Sequence, residues 1–143
     1  MMWCIVGSFL NIFGHKEINH LDKGKFGEDK ACKYLKKKGY KIVERNYRLK
    51  FAEIDIIAKD EKTYVFVEVK TRKLGSVIPA CVSVNFKKQQ KIMKASCCYL
   101  AGKNIKPPMR YDIIEVYTDE KLKNYEINHI KNAFGSRSDY AIF

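Results

Sequence analysis

Two acidic residues and a lysine fall inside two short apolar segments of this chain. Asp55 lies in the segment 51–58, FAEIDIIA, whereas Glu68 and Lys70 lie in the segment 64–72, YVFVEVKTR. β-Branched and aromatic residues dominate both segments, which predicts two β-strands. Burying a charged group is costly unless the group is paired or binds a metal ion. The two segments therefore predict a functional site, because a folding argument alone would not place charges there.

The turn between these strands determines which charged side chains meet. With Glu61 and Lys62 at the centre of the turn, Asp55 lies directly opposite Glu68. Side chains alternate between the two faces of a strand, and like charges that oppose each other destabilise a hairpin. A divalent cation between the two carboxylates would reverse that effect, whereas the alternative interpretation is a solvated face with ordinary surface charges. The charged residues predicted on this face are Glu53, Asp55, Glu68, Lys70 and Arg72.

Length, charge and cysteine content limit the class of protein. The chain has 143 residues, enough for one domain with a real core, and a formal net charge of +12. The excess of positive charge favours polyanionic partners, with nucleic acid first and an anionic membrane surface second. An odd number of cysteines without a Cys-x-x-Cys motif is typical of neither a disulfide framework nor a zinc site. We expect reduced cysteines, mostly in the core, and a cytoplasmic protein. The cysteines are Cys4, Cys32, Cys81, Cys97 and Cys98.

The N-terminal segment differs in composition from the rest of the chain. Its first fourteen residues are mostly apolar but too few to span a membrane. They also lack the basic start and the small-residue cleavage site of a signal peptide. A short amphipathic helix, a flexible extension and an over-extended start site remain as alternatives. We therefore divide the chain into an apolar extension, 1–20, and a single domain, 21–143.

Helical and strand patterns follow one another in the order α-β-β-β-α-β-β, with the two segments described above as the second and third strands. A first helix is predicted over 21–38 and ends at Gly39. A second helix is predicted over 84–101, with Ser83 or Asn85 as its N-cap. This order predicts an α/β fold of the α+β type, with a central mixed sheet flanked by helices. The other predicted strands are 40–49, 109–117 and 125–130, and a loop is predicted over 74–82.

Each predicted helix has a face that should pack on the sheet. Glu28 in the first helix points along such a face, so it is either a third acid of the site or a boundary residue that reaches water. Gly24 and Gly27 would allow the start of this helix to approach the sheet or a ligand closely. The neighbours of Glu28 on its face are Ala31, Cys32 and Leu35. The apolar stripe of the second helix is Phe86, Met93, Cys97 and Leu100.

An aspartate followed across a hairpin by Glu-x-Lys resembles the PD-(D/E)XK nuclease superfamily. From about Gly24 onward the chain resembles, more closely, the YraN-like family of small bacterial proteins. One departure is Ala52, which stands where that family has a glycine and would be strained if φ were positive there. The matching stretches are 27–28 with Ala31 and Leu35, 44–48, 52–55, 65–72, Val84 with Lys88, Ala95 with 99–100, and 110–112.

The resemblance implies a restriction-endonuclease-like core, akin to that of Holliday-junction resolvases, and a site for Mg²⁺ or Mn²⁺. It implies that Asp55 and Glu68 bind the metal, helped by the backbone carbonyl of Val69. Glu28 would be an added or water-mediated ligand. Lys70 would orient or activate the attacking water and offset charge on the phosphate. Relatives of the resolvase type are often two-fold dimers, so a homodimer is a further expectation by analogy.

These features lead to a first hypothesis and two alternatives. The first is a Mg²⁺-dependent nuclease that hydrolyses phosphodiester bonds in DNA, with branched or flapped DNA as candidate substrates. The second is a non-catalytic nucleic-acid-binding protein on a nuclease scaffold. The third is a partner-binding or membrane-surface protein that uses the apolar N-terminus. Candidate contacts to backbone phosphates, each of which could instead be a solubilising surface residue, are Arg48, Arg72, Lys88 and Arg110.

Overall fold

Within the residues that the structure describes, two helices and five strands follow one another in the order α-β-β-β-α-β-β, which confirms the predicted fold class. The computed structural model describes residues 17–79, 82 and 84–135. The expectations for the first fourteen residues, for Cys4 and Cys81, and for Ser83 as a cap lie outside the described residues. The elements are α1 (His20–Lys37), β1 (Lys41–Leu49), β2 (Ala52–Asp60), β3 (Thr63–Lys73), α2 (Phe86–Gly102), β4 (Met109–Thr118) and β5 (Tyr125–Phe134).

The five strands form one mixed sheet with the spatial order β1-β2-β3-β4-β5. The pairs β1–β2, β2–β3 and β4–β5 are antiparallel, whereas β3 and β4 are parallel. A parallel pair needs a crossover connection, and α2 lies in that connection. The strand that carries Glu68 and Lys70 is therefore the central strand, as its apolar composition predicts.

Local signals fix the ends of both helices. Asn19 caps α1: its side chain accepts a hydrogen bond from the backbone N–H of Asp22, whose carboxylate accepts one from the N–H of Asn19. Gly39 ends this helix with φ of 91°, a conformation that favours glycine. Asn85 caps α2 through a 2.9 Å hydrogen bond from the backbone N–H of Lys88.

A separate hydrophobic core lies on each face of the sheet, one beneath each helix. In the core beneath α2, Tyr99 is the centre of an aromatic cluster, and its ring contacts those of Tyr47 and Phe66. The first core contains Ala31, Cys32 and Leu35 of α1 together with Ile56, Ala58, Val65, Val67, Ile114 and Val116 of the sheet. The second contains Ile92, Ala95, Tyr99 and Leu100 of α2 together with Ile54, Ile57, Phe66, Tyr111 and Ile113.

The apolar stripe predicted for α2 is wrong at two positions. Phe86 is 74% exposed and Cys97 is exposed, whereas Leu100 is buried and Met93 packs against the core. The buried face is rotated toward Ile92, Ala95, Ser96 and Tyr99, because Tyr99 joins the aromatic cluster and Ser96 hydrogen-bonds the hydroxyl of Tyr111 at 2.7 Å. Cys98 is also exposed, so of the described cysteines Cys32 alone is in the core.

A buried polar network joins β4 to β5 and to Tyr40, which lies between α1 and β1. The carboxylate of Asp112, which has no exposed surface, accepts hydrogen bonds from Nε of Arg110 at 2.8 Å and from the backbone N–H of Asn132 at 2.9 Å. Nε2 of His129 lies 2.8 Å from the same carboxylate. Arg110 also donates to the hydroxyl of Tyr40 at 2.8 Å. Asp112 is thus the structural partner of Arg110 in this network.

Neither helix that the structure describes is long and apolar enough to cross a membrane.

Candidate active site

The hairpin β2–β3 has the predicted register. Ile56 pairs with Val67, and Asp60 pairs with Thr63 across a two-residue turn at positions 61 and 62. Ala52, at the start of β2, does not have a positive φ, so the alanine does not strain the backbone there.

Asp55 lies at an irregular point of β2. Ile54 and Ile57 both belong to the core beneath α2, although strict alternation would place them on opposite faces. Asn46, in the neighbouring strand, has φ of 52°. Oδ2 of Asp55 accepts a hydrogen bond from the backbone N–H of Val69 at 2.7 Å. This bond ties the carboxylate to the strand that carries Glu68.

Glu68 is a buried acid with two ammonium groups on a single oxygen. Its side chain is 3% exposed, and its Oε1 lies 3.0 Å from Nζ of Lys70 and 3.1 Å from Nζ of Lys88. Its other oxygen, Oε2, is buried and has no hydrogen-bond partner. A buried carboxylate oxygen normally has a partner, so Oε2 has capacity to bind a further group.

The two acids affect each other electrostatically. Burial, followed by repulsion from Glu68, raises the pKa of Asp55 from its ordinary value to about 7. The hydrogen bond from the N–H of Val69 and the charge of Lys88 act in the opposite direction, whereas the charge of Glu28 raises this pKa further. Such a strongly shifted acid beside a second carboxylate is typical of functional sites.

The start of α1 forms the wall opposite the two acids. Glu28 lines the same cavity as Asp55 and Glu68, and its Oε2 lies 3.9 Å from the guanidinium of Arg45. A Cβ added to Gly27 would overlap the side chain of Thr71, so this glycine provides the predicted close approach. Nothing lies within 4 Å of a Cβ added to Gly24, so the expected close approach to the sheet is wrong there, although Gly24 lines the cavity.

The cavity has a volume of about 320 Å³ and includes residues for which no role was predicted from the sequence. His20 precedes Gly24 and Glu28 by four and eight positions, so helical spacing from Glu28 could have identified it. Lys23 and Thr71 have no comparable signal, because their place in the site depends on the packing of α1 against β3. The lining residues are His20, Lys23, Gly24, Glu28, Asp55, Glu68, Val69, Lys70 and Thr71.

The four candidate phosphate-binding side chains have different partners. Nε of Arg72 lies 3.1 Å from Oε1 of the buried Glu115, and Arg110 belongs to the network of Asp112. Arg48 is exposed and forms a 3.0 Å ion pair with Glu53. The ammonium of Lys88 contacts Oε1 of Glu68 at 3.1 Å.

The donor set fits a hard divalent cation. Two carboxylates and a backbone carbonyl are oxygen ligands of the kind Mg²⁺ takes, with water completing its shell. The N–H and the carbonyl of one extended residue point to the same side of a strand. The bond from Val69 to Asp55 therefore puts the carbonyl of Val69 on the side of β3 that faces Asp55. Within residues 17–79, 82 and 84–135, no three His, Cys, Asp or Glu side chains gather closely enough to hold a metal ion by themselves.

Comparison with known proteins gives a consistent family match. Residues 27–116, from Gly27 on α1 to Val116 on β4, match the model of the Uncharacterised protein family UPF0102. A UPF0102 protein of Clostridioides difficile is 50% identical over 118 residues, which cover 82% of this chain and all of that protein. One from Caldanaerobacter subterraneus is 48% identical over 121 residues, covering 83% of this chain and 99% of that protein. One from Clostridium botulinum is 48% identical over 115 residues, covering 79% and 94%.

Proposed function

The chain belongs to the uncharacterised protein family UPF0102, whose description states no activity, and we propose that it is a divalent-metal-dependent nuclease that hydrolyses phosphodiester bonds in DNA. Branched and flapped DNA are the substrates to test first. The proposal takes Asp55 and Glu68 as metal ligands and Lys70 as the amine beside the scissile phosphate.

One observation carries the proposal: the buried Oε2 of Glu68 has no hydrogen-bond partner. A second carboxylate, Asp55, lies near it, and burial together with the charge of Glu68 raises the pKa of Asp55. Folding alone gives no reason to leave this oxygen without a partner, because a buried carboxylate oxygen normally has one. A divalent cation would supply the missing partner and remove the repulsion between the two acids.

The proposed chemistry needs a cation, a positioned water and stabilisation of a phosphate that gains charge. When bound, the metal would polarise the phosphoryl group and lower the pKa of a bound water. Lys70 lies 3.0 Å from Glu68, where its ammonium can hydrogen-bond a phosphate oxygen and stabilise the developing charge. The bond from Val69 holds Asp55 in place, and Glu28 can accept a hydrogen bond from a water molecule at the opposite wall of the cavity.

The experiment is a cleavage assay with linear, flapped and four-way-junction DNA in the presence of Mg²⁺ or Mn²⁺. We expect cleavage of at least one substrate by the natural chain and none by Asp55→Asn or Glu68→Gln. The matched control is Asp29→Asn, which changes an exposed acid on α1 that pairs with Arg45. Failure of every substrate with both metals, together with no Mn²⁺ binding in calorimetry, would refute the proposal.

A second candidate function is nucleic-acid binding without hydrolysis. The observation that favours it is the pairing of Glu68 with two lysines, which neutralises the carboxylate without any metal. This function predicts salt-dependent DNA binding that Asp55→Asn leaves unchanged. Addition of a chelator would then leave the affinity for DNA unaltered, whereas the nuclease proposal predicts a loss.

A further inference from the structure

Lys88 reaches the acidic pair from the opposite side of the sheet to α1. It lies in the first turn of α2, and the side chain of Asn85 fixes that turn by accepting from the backbone N–H of Lys88. The amide of Gln89 donates to the carbonyl of Val84, which is fully buried. A rigid first turn thus presents the ammonium of Lys88 to Oε1 of Glu68.

The charges of this group balance without a metal. Asp55 and Glu68 carry two negative charges when ionised, and Lys70 and Lys88 carry two positive charges. The charge of Glu28 lies near a separate cation, Arg45. A divalent cation that joins the two acids therefore gives the group an excess of two positive charges.

We propose that Lys88 makes divalent-metal binding depend on the phosphodiester, an inference that rests on the proposed nuclease function. Its charge opposes a metal that enters alone, because both are cations within a few ångströms of the same carboxylate. An anionic phosphate offsets the excess charge, so metal and DNA each strengthen the binding of the other. Such coupling is reciprocal by thermodynamic linkage.

The side chain of Lys88 suits this role. It is 42% exposed although its ammonium contacts a carboxylate that is almost fully buried. The flexible four-carbon stem of a lysine allows the ammonium to turn from Glu68 to a phosphate oxygen when a metal ion replaces it as the partner of the Glu68 carboxylate. Lys88 is thus a residue that couples metal binding to substrate binding through Glu68.

The test measures Mn²⁺ affinity by titration calorimetry for the full chain and four variants. Lys88→Met removes the charge, Lys88→Gln keeps a hydrogen-bond donor without the charge, and Lys88→Arg keeps the charge. Lys91→Met is the matched control, because Lys91 is an exposed lysine one turn further along α2. We expect Lys88→Met and Lys88→Gln to bind Mn²⁺ alone at least about threefold more tightly than the natural chain. Lys88→Arg and Lys91→Met should match the natural chain.

A second titration uses Ca²⁺ with and without a short flapped DNA duplex. DNA should increase the affinity for Ca²⁺ by a larger factor in the natural chain than in Lys88→Met. The inference is overturned if Lys88→Met binds Mn²⁺ no more tightly than the natural chain, or if Lys88→Gln binds it with the same affinity as the natural chain. If the natural chain binds metal and cleaves DNA while these variants show no change, the inference alone fails. If the natural chain binds no metal even in the presence of DNA, the proposed function fails with it.

Discussion

The backbone N–H of Val69 donates a 2.7 Å hydrogen bond to Oδ2 of Asp55. The bond is made between the strands β2 and β3, so it ties the carboxylate of Asp55 to the strand that carries Glu68. It also opposes the rise in the pKa of Asp55 that burial and Glu68 cause. Asp55 is therefore held in place in both of its protonation states, but its ionised form is destabilised.

The first prediction concerns the pH dependence of stability. Because the folded-state pKa of Asp55 is raised to about 7, the folded protein binds this proton more tightly than the unfolded chain. The free energy of unfolding of the metal-free protein should therefore fall as pH rises from about 4 to about 7, by on the order of 2–4 kcal/mol. Chemical denaturation at several pH values in the presence of a chelator measures this. Asp55→Asn should remove most of the slope, whereas Asp29→Asn should retain it. An unchanged slope in Asp55→Asn would contradict the assignment.

A second prediction separates catalysis from metal binding at Lys70. Lys70→Met should lower the rate of DNA cleavage by roughly 10²–10³-fold, because the variant loses charge stabilisation at the phosphate. Its affinity for Mn²⁺ should not fall, since a cation beside the metal site has been removed. Lys73→Met is the control, because Lys73 is a highly exposed lysine on the same strand that pairs with an exposed Glu120. Cleavage at the natural rate by Lys70→Met would exclude this role.

A third prediction concerns the buried network of Asp112. Asp112→Ala leaves Arg110 without its main partner and removes an acceptor from the backbone of Asn132, so we expect a loss of roughly 3 kcal/mol in the free energy of unfolding. Urea denaturation measures it. Glu120→Gln, which alters an exposed pair, should change stability by less than about 1 kcal/mol. A loss in Asp112→Ala no larger than in Glu120→Gln would show that the network adds little to stability.

A fourth prediction compares two glycines of one helix. Gly27→Ala should destabilise the protein by about 1–3 kcal/mol, because the added methyl group overlaps the side chain of Thr71. Gly24→Ala should be neutral or stabilising by up to about 1 kcal/mol, since its methyl group meets nothing. The double variant Gly27→Ala with Thr71→Ala should recover part of the loss, and a double-mutant cycle of thermal unfolding measures the coupling. Strict additivity would mean that the two residues do not touch.

The sequence predicted the parts of the site that depend on short-range geometry. A two-residue turn was sufficient to set the register of β2 against β3 from Ile56–Val67 to Asp60–Thr63, and Asp55 lies just beyond these pairs, at the irregular point of β2. Helical spacing was sufficient to place Glu28 on the face of α1 that packs toward the sheet, where it lines the cavity. In each case the residues that decide the arrangement are close in sequence.

Features that depend on distant contacts could not be predicted in this way. Arg72 was a candidate for phosphate binding, but it pairs with Glu115, which is 43 positions away along the chain. The orientation of α2 depends on aromatic residues of β1 and β3 that surround Tyr99, so Phe86 lies at the surface despite its apolar spacing. The second lysine on Glu68 is a further case, because the crossover that brings Lys88 to the acids has no local sequence signal.

The two-residue turn at positions 61 and 62 also limits how this chain can be redesigned. A single inserted residue there would shift β3 by one position against β2, and successive side chains of a strand point to opposite faces. Glu68 and Lys70 would then turn toward the core beneath α1, and Val67 and Val69 would leave that core for the opposite face of the sheet. Tags, linkers and other insertions should therefore be placed at a different turn, such as the one between β4 and β5.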